Sequence, residues 1–276
     1  MRKEDFFTRH SIKPEGSDLE SSQFEGISEK GVELAREQAR EILEALEKSK
    51  SGTVMFIGGS SEIARTRSTA LIYGDEIKNL ISKKEQNDIL VLLPEDLEKI
   101  EGYSNKVNYL VKEMKDNPSK KIILDFPLFI KEFSFKGSWI DDDGELMPYT
   151  RELLRRNENN SEKALIDWLE NQGKIGDLKG PDPKEVAEQQ LAGMERLREF
   201  AQKYTLNRPL IIGSVGHSWS LDALALYLAN KGEVNKEGFD KIKAKMIGES
   251  KMIKLTEQEG KKVLQYGDLT ISLENE

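Results

Sequence analysis

Two histidines, His10 and His217, constrain most strongly what this 276-residue chain can build. Each closes a short strand-forming run. His10 follows Asp5-Phe-Phe-Thr-Arg9, and His217 follows Arg208-Pro-Leu-Ile-Ile-Gly-Ser-Val-Gly216. An apolar run of that length, ending at a polar or glycine-rich turn, reads as a buried strand that delivers a residue to its C-terminal tip. Open α/β sheets bind ligands at the carboxyl ends of their strands. The expectation is therefore two strands presenting two histidines to one pocket.

The order of elements suits that expectation. Residues 4–9 read as a first strand and 11–27 as a Ser-, Gly- and Glu-rich loop. A helix follows from Ser28, a good N-cap, with Leu34, Ala35, Ala39, Ile42, Leu43 and Leu46 at helical spacing. Thr53–Ile57 is a second strand ending at Gly58-Gly59-Ser60-Ser61, and a helix from near Ser61 to Ser82 carries Arg65 at its start. Ile89–Leu93 and Lys121–Asp125 are further strands, with a polar helical stretch, 95–116, between them. Residues 126–160 are the least regular, and 161–172 read as helix. Asp182-Pro183-Lys184-Glu185 is a strong helix start, with Asp182 as cap and Pro183 at the first helical position. Pro209–Ile212 precedes His217, an apolar helix runs from Leu221 to about Asn230, and the tail alternates weakly as edge strands. Strand and helix in alternation predict an α/β fold, a mostly parallel sheet with helices on both faces. The expected organisation is one domain over 1–276, with a helical or irregular cap inserted at about 94–205.

Composition narrows the function. A net charge of −8 and a pI of about 5.2 argue against a general nucleic-acid binder, yet leave room for a local cationic pocket. The absence of cysteine removes thiol catalysis, disulfides and cysteine-ligated metals. No stretch approaches the roughly 18 apolar residues of a membrane span, and Met1-Arg-Lys-Glu-Asp5 has no apolar run behind its charges. A soluble cytoplasmic protein is expected, with no membrane partner.

Three tips then stand out: Arg9-His10, Ser61 to Arg65, and Gly216-His217. Guanidinium groups give bidentate contacts to tetrahedral phosphate, a helix N-terminus adds backbone N–H donors, and a neutral imidazole nitrogen is a competent nucleophile near pH 7. Arg9-His10, Ser28-Glu29-Lys30-Gly31, Ser61-Glu-Ile-Ala-Arg65-Thr-Arg-Ser-Thr69-Ala70 and Val215-Gly216-His217 together resemble the histidine phosphatase superfamily, the phosphoglycerate mutase-like proteins. The blocks fall in the family's order and cover about half the chain. The resemblance implies phosphoryl transfer from a small phosphate monoester to His10 and then to water, without cofactor or metal. Arg9, Arg65 and His217 would bind the phosphoryl oxygens. A mutase, which returns the phosphoryl group to its substrate, and a catalytically weak phosphate-ester binding protein are the alternatives on the same fold.

By the same resemblance Glu132 would be the general acid, because Ile130-Lys-Glu132-Phe-Ser-Phe-Lys-Gly137-Ser-Trp139 looks like the family's acid-bearing segment with one residue inserted. Glu145 is the fallback. Ser11 departs from the family glycine after the nucleophile and would either donate to phosphate or crowd it. Thr66 stands where alanine is common, Arg67 points elsewhere on its helix, and the charged start of the first strand is unusual for a buried strand. Two rival readings are weaker. Gly216-His-Ser218-Trp-Ser220 mimics a hydrolase nucleophile elbow but has no histidine downstream. Asp141-Asp-Asp-Gly-Glu145 lacks calcium-loop spacing and suits a solvated turn.

Overall fold

The structure is a computed structural model that describes residues 4–14, 22–258 and 261–273; residues 15–21 of the expected loop lie outside the described residues. Strand β1 (Glu4–Arg9) leads to helix α1 (Glu29–Glu47), β2 (Val54–Ser60), α2 (Ala64–Lys83) and β3 (Ile89–Leu92). The polar stretch expected as one helix is two, α3 (Pro94–Glu98) and α4 (Tyr103–Asp116), separated at Gly102, which takes a φ of +81° that L side chains rarely adopt. Then come β4 (Lys121–Phe129), α5 (Pro148–Arg156), α6 (Ser161–Asn171), the hairpin β5 (Lys174–Ile175) and β6 (Leu178–Lys179), and α7 (Pro183–Tyr204). The chain closes with β7 (Leu210–Gly216), α8 (Ser218–Ala229), α9 (Lys236–Lys241), β8 (Met252–Gln258), β9 (Lys261–Tyr266) and β10 (Leu269–Leu273).

Among the described residues eight strands form one sheet in the order β10-β9-β8-β1-β7-β2-β4-β3. The neighbours from β1 to β3 run parallel, and β8, β9 and β10 extend the β1 edge antiparallel. The chain is thus α/β, with a mostly parallel sheet. Strand periodicity splits the core. Phe7, Val54, Phe56, Ile122, Leu124 and Ile212 face α7 and α8, whereas Phe6, Met55, Ile57, Ile123 and Ile211 face α1 and α2. The helices begin where their side chains satisfy free backbone N–H groups. Ser28 accepts from Gly31 N, and Asp182 from Lys184 N and Glu185 N.

The charged start of β1 has a partner. Arg198 of α7, almost fully buried, forms an ion pair with Asp5. Within the range 94–205, β4 lies between β2 and β3, and α7 covers the sheet. The remainder, from about 130 to 182, builds a third cluster around Trp139, Tyr149, Leu165 and Trp168, joined by Trp219 of α8. The Trp168 indole N–H donates to Pro181 O and that of Trp219 to Ser161 O, so each buried ring meets its polar need.

Gly213 sits in β7 directly opposite Phe6 of β1, whose ring lies across it. A Cβ there would stand 2.1 Å from the ring. Gly213→Ala is expected to cost about 1–3 kcal/mol by overpacking, read as a lower urea midpoint at unchanged slope.

Candidate active site

The site is built from three adjacent parallel strands that end together. Arg9 of β1 pairs with Gly216 of β7, and Ser60 of β2 with Val215. One residue past these pairs the ladder persists: His10 N donates to Gly216 O at 2.9 Å. The two histidines therefore leave neighbouring strands at the same level, with ring centroids 5.2 Å apart. From β2 the chain turns through Ser61, whose hydroxyl lies 3.0 Å from His217 Nε2 and accepts Ile63 N as α2 begins. That turn brings Arg65 between the rings. Its Nε donates to His10 Nε2 at 3.0 Å, and its Nη2 lies 3.4 Å from His217 Nδ1.

The protonation pattern follows from the partners. Arginine only donates, so His10 Nε2 carries a lone pair and its proton is on Nδ1, 2.7 Å from the Ser11 carbonyl. By the same logic His217 accepts on Nδ1 and donates from Nε2 to Ser61. Burial, then the Arg65 charge and more weakly Arg9 and Lys13, lower the His10 pKa to about 3. Burial, His10, Arg65 and Arg9 hold His217 well below its ordinary value. Both rings are neutral at pH 7. An anion between them would raise the proton affinity of both.

Arg9 is held from the other side. Its Nη1 donates to Ile247 O at 2.6 Å and its Nη2 pairs with Glu249 at 2.6 Å. Ile247 N in turn donates to the buried carboxylate of Asp222, which also accepts the Tyr266 hydroxyl. Burial pushes the Asp222 pKa up to about 7, against the pull of those two hydrogen bonds. Arg9, His10, Arg65 and His217 line a cleft of about 410 Å³ whose outer wall includes Phe135, Trp139 and Trp219. Phe135 packs on His217 with centroids 4.1 Å apart.

The Ser28 to Gly31 block supports the chain after His10. Ser28 donates through both its N–H and its hydroxyl to Ile12 O, and a Cβ on Gly31 would stand 2.4 Å from that oxygen. Ser11 neither donates to the cleft nor crowds it. Its hydroxyl donates to Gly31 O at 2.6 Å and its N–H to Thr69, so the side chain turns toward α1. Thr66 is absorbed as well, donating to Ile63 O, and Arg67 is exposed on α2.

The acid candidates are not brought to the cleft. Glu132 lies in a 3₁₀ turn, Lys131–Phe133, with both carboxylate oxygens on Arg196 at 2.8 and 3.0 Å. Glu145 is exposed in a turn that Asp141 organises by accepting Asp143 N and Glu145 N. Neither lines the cleft. Sequence reading also missed Glu249 and Ile247, which lie about 240 residues from Arg9 and carry no motif. Ser218 lines the cleft, but the histidine nitrogens are engaged by Ser11, Arg65 and Ser61, so Ser218 forms no pair with either histidine. Among the described residues no cluster of His, Asp and Glu could hold a metal ion, and no helix is long and apolar enough to cross a membrane.

Three of the four motif blocks meet at one cleft, and the fourth, Ser28 to Gly31, supports the chain beside it. No family profile and no curated protein sequence matches the chain. Among solved structures it is similar to a mycobacterial glucosyl-3-phosphoglycerate phosphatase, at 13% identity over 94% of this chain and 92% of that one, with a TM-score of 0.44. A mycobacterial hydrolase is 12% identical over 99% of this chain and 100% of that one, at 0.46. A phosphoglycerate mutase from Bacillus anthracis is 12% identical over 96% of this chain and 92% of that one, at 0.42. Likeness at this level assigns no substrate.

The depressed histidine pKa has a sign that can be measured. The unfolded chain protonates a histidine near 6.5, whereas folded His10 stays neutral down to about 3. Between those values the unfolded state binds more protons, so stability falls as pH drops below about 6.5. The decrease in melting temperature from pH 7 to pH 5 is expected to be smaller in His10→Asn than in wild type; equal decreases would refute the assignment.

Proposed function

We propose that the chain is a phosphatase that transfers the phosphoryl group of a small phosphate monoester to His10 Nε2 and then to water. One observation carries the reading. A neutral imidazole with its Nδ1 proton fixed on a backbone carbonyl offers its Nε2 lone pair beside a guanidinium and a second imidazole. Nothing else in the cleft is as good a nucleophile toward phosphorus near neutral pH.

In this reading a phosphate dianion displaces the Arg65 contact from His10, and Arg65 turns its donors to the phosphoryl oxygens. Arg9 adds donors from the β1 tip, and His217, once protonated in the dianion's field, donates from Nδ1. These groups stabilise the charge on the equatorial oxygens as the bond to the leaving oxygen lengthens. The Ser11 and Thr69 contacts keep the nucleophile's backbone in place without entering the cleft. The binding-protein alternative drew on Ser11, and the direction of that side chain favours the enzyme.

The test is hydrolysis of an aryl phosphate with chelator present. Wild type is expected to be active and to form an acid-labile, base-stable phosphoprotein when quenched. His10→Ala is expected to lose both activity and label, and Arg65→Ala to lose about 10²-fold or more. Full activity in His10→Ala would overturn the proposal.

A further inference from the structure

We propose that Glu249 is the proton-transfer residue of the cleft, protonating the leaving oxygen and then taking the proton of the attacking water. The proposal rests on the phosphohistidine reading above and supplies the acid that reading lacks.

Glu249 is the one carboxylate on the cleft wall among the described residues. The other carboxylates near it do not line the cleft. Glu132 is held by Arg196. Glu62 accepts the backbone N–H groups of Phe135 and Lys136 through one oxygen, while its other oxygen is buried without a partner. Asp222 is fully buried behind the Ile247 segment.

The position of Glu249 is built. Arg9 N donates to Lys251 O, and Ser250 N donates to Arg9 O, so residues 249–251 are clamped to the tip of β1 beside His10. Ser250 is buried and takes a φ of +53°, a left-handed backbone conformation rare for a non-glycine residue. Strain of that kind persists where the surrounding structure enforces it, and here it sends Glu249 to the cleft. The Arg9 side chain is 12% exposed and the Glu249 side chain 40%, so the carboxylate sits on the solvent side of the guanidinium. A phosphate held between His10 and Arg9 would direct its ester oxygen outward, toward that carboxylate.

The ion pair supplies the switch. At rest Arg9 and Glu249 are paired at 2.6 Å. A bound phosphate dianion takes the guanidinium N–H groups for its own oxygens. Glu249 then loses part of its cation and gains an anion as neighbour, and both changes raise its proton affinity. Binding thereby loads the acid with a proton drawn from solvent. In the first step the His10 Nε2–P bond forms and the P–O ester bond breaks. The electron pair goes to the ester oxygen, which takes the proton from Glu249. In the second, the Glu249 carboxylate removes a proton from water as the water oxygen bonds to phosphorus. The P–N bond breaks and its pair returns to Nε2.

Glu249→Gln keeps size and an acceptor for Arg9, so it isolates the proton. Two substrates separate the roles: an aryl phosphate, whose phenolate leaves unprotonated, and an alkyl phosphate, whose alkoxide does not. Glu249→Gln is expected to lose about 10²-fold or more on the alkyl ester and only a few-fold in the phosphorylation burst with the aryl ester. An equal loss on both would mark Glu249 as a support for Arg9 and overturn the proposal. So would a leaving-group-selective loss in Glu132→Gln with none in Glu249→Gln. Independently of turnover, sulfate, which does not titrate near neutrality, can be bound calorimetrically in two buffers of different ionisation enthalpy. Wild type is expected to take up more protons per sulfate than Glu249→Gln; equal uptake overturns the proposal. Loss of function in His10→Ala tests the phosphohistidine reading alone, so the two can fail separately.

Discussion

A single backbone hydrogen bond, His10 N to Gly216 O, sets the geometry on which the cleft depends. It continues the β1–β7 ladder by one residue and so puts two histidines, 207 positions apart in the chain, at one height above the sheet. Parallel pairing leaves little freedom in this, because a slip of one residue would turn every buried side chain of β1 to the wrong face. The register is held by Phe6 across Gly213 on one face and Phe7 in the core on the other. The packing that stabilises the sheet is therefore also what aims His10.

Upon that frame an electrostatic arrangement is imposed that runs against the protein's overall charge. An acidic chain buries two imidazoles beside two arginines. Burial and the arginines together keep the rings neutral, and the arginines are balanced locally: Arg9 by Glu249 and the Ile247 carbonyl, Arg65 by the imidazole lone pairs. Each cation thus rests on a partner that a phosphate can replace. These partners fix both guanidinium groups at the cleft wall.

Legibility in the sequence was uneven for physical reasons. His10, Arg65 and His217 were readable because strand and helix starts are local events: Ser28, Ser61 and the glycines before His217 announce them within a few residues. The C-terminal strands were readable too, though as edges, when β8 in fact lies between β1 and β9. The acid was not. Glu132 occupies the segment that resembles the family's acid-bearing motif, but its carboxylate goes to Arg196 of α7, a partner 64 residues away that no local pattern announces. Ser11 looked like a liability because only the neighbouring Gly31 carbonyl, 20 residues on, explains it.

By itself the sequence determined the alternation of strands and helices, the two-faced core, and which residues stand at strand tips, since periodicity, caps and turn residues act within a few positions. Only the tertiary structure decided what surrounds those tips. The 245–251 segment reaches Arg9 through Asp222, Ile247 and a left-handed Ser250, and the Phe135–Trp139–Trp219 wall closes the cleft from another part of the chain. Such contacts depend on which surfaces meet when the sheet assembles. A carboxylate has the same chemistry wherever it lies in the chain; what makes Glu249 different from Glu132 is the cation each one finds.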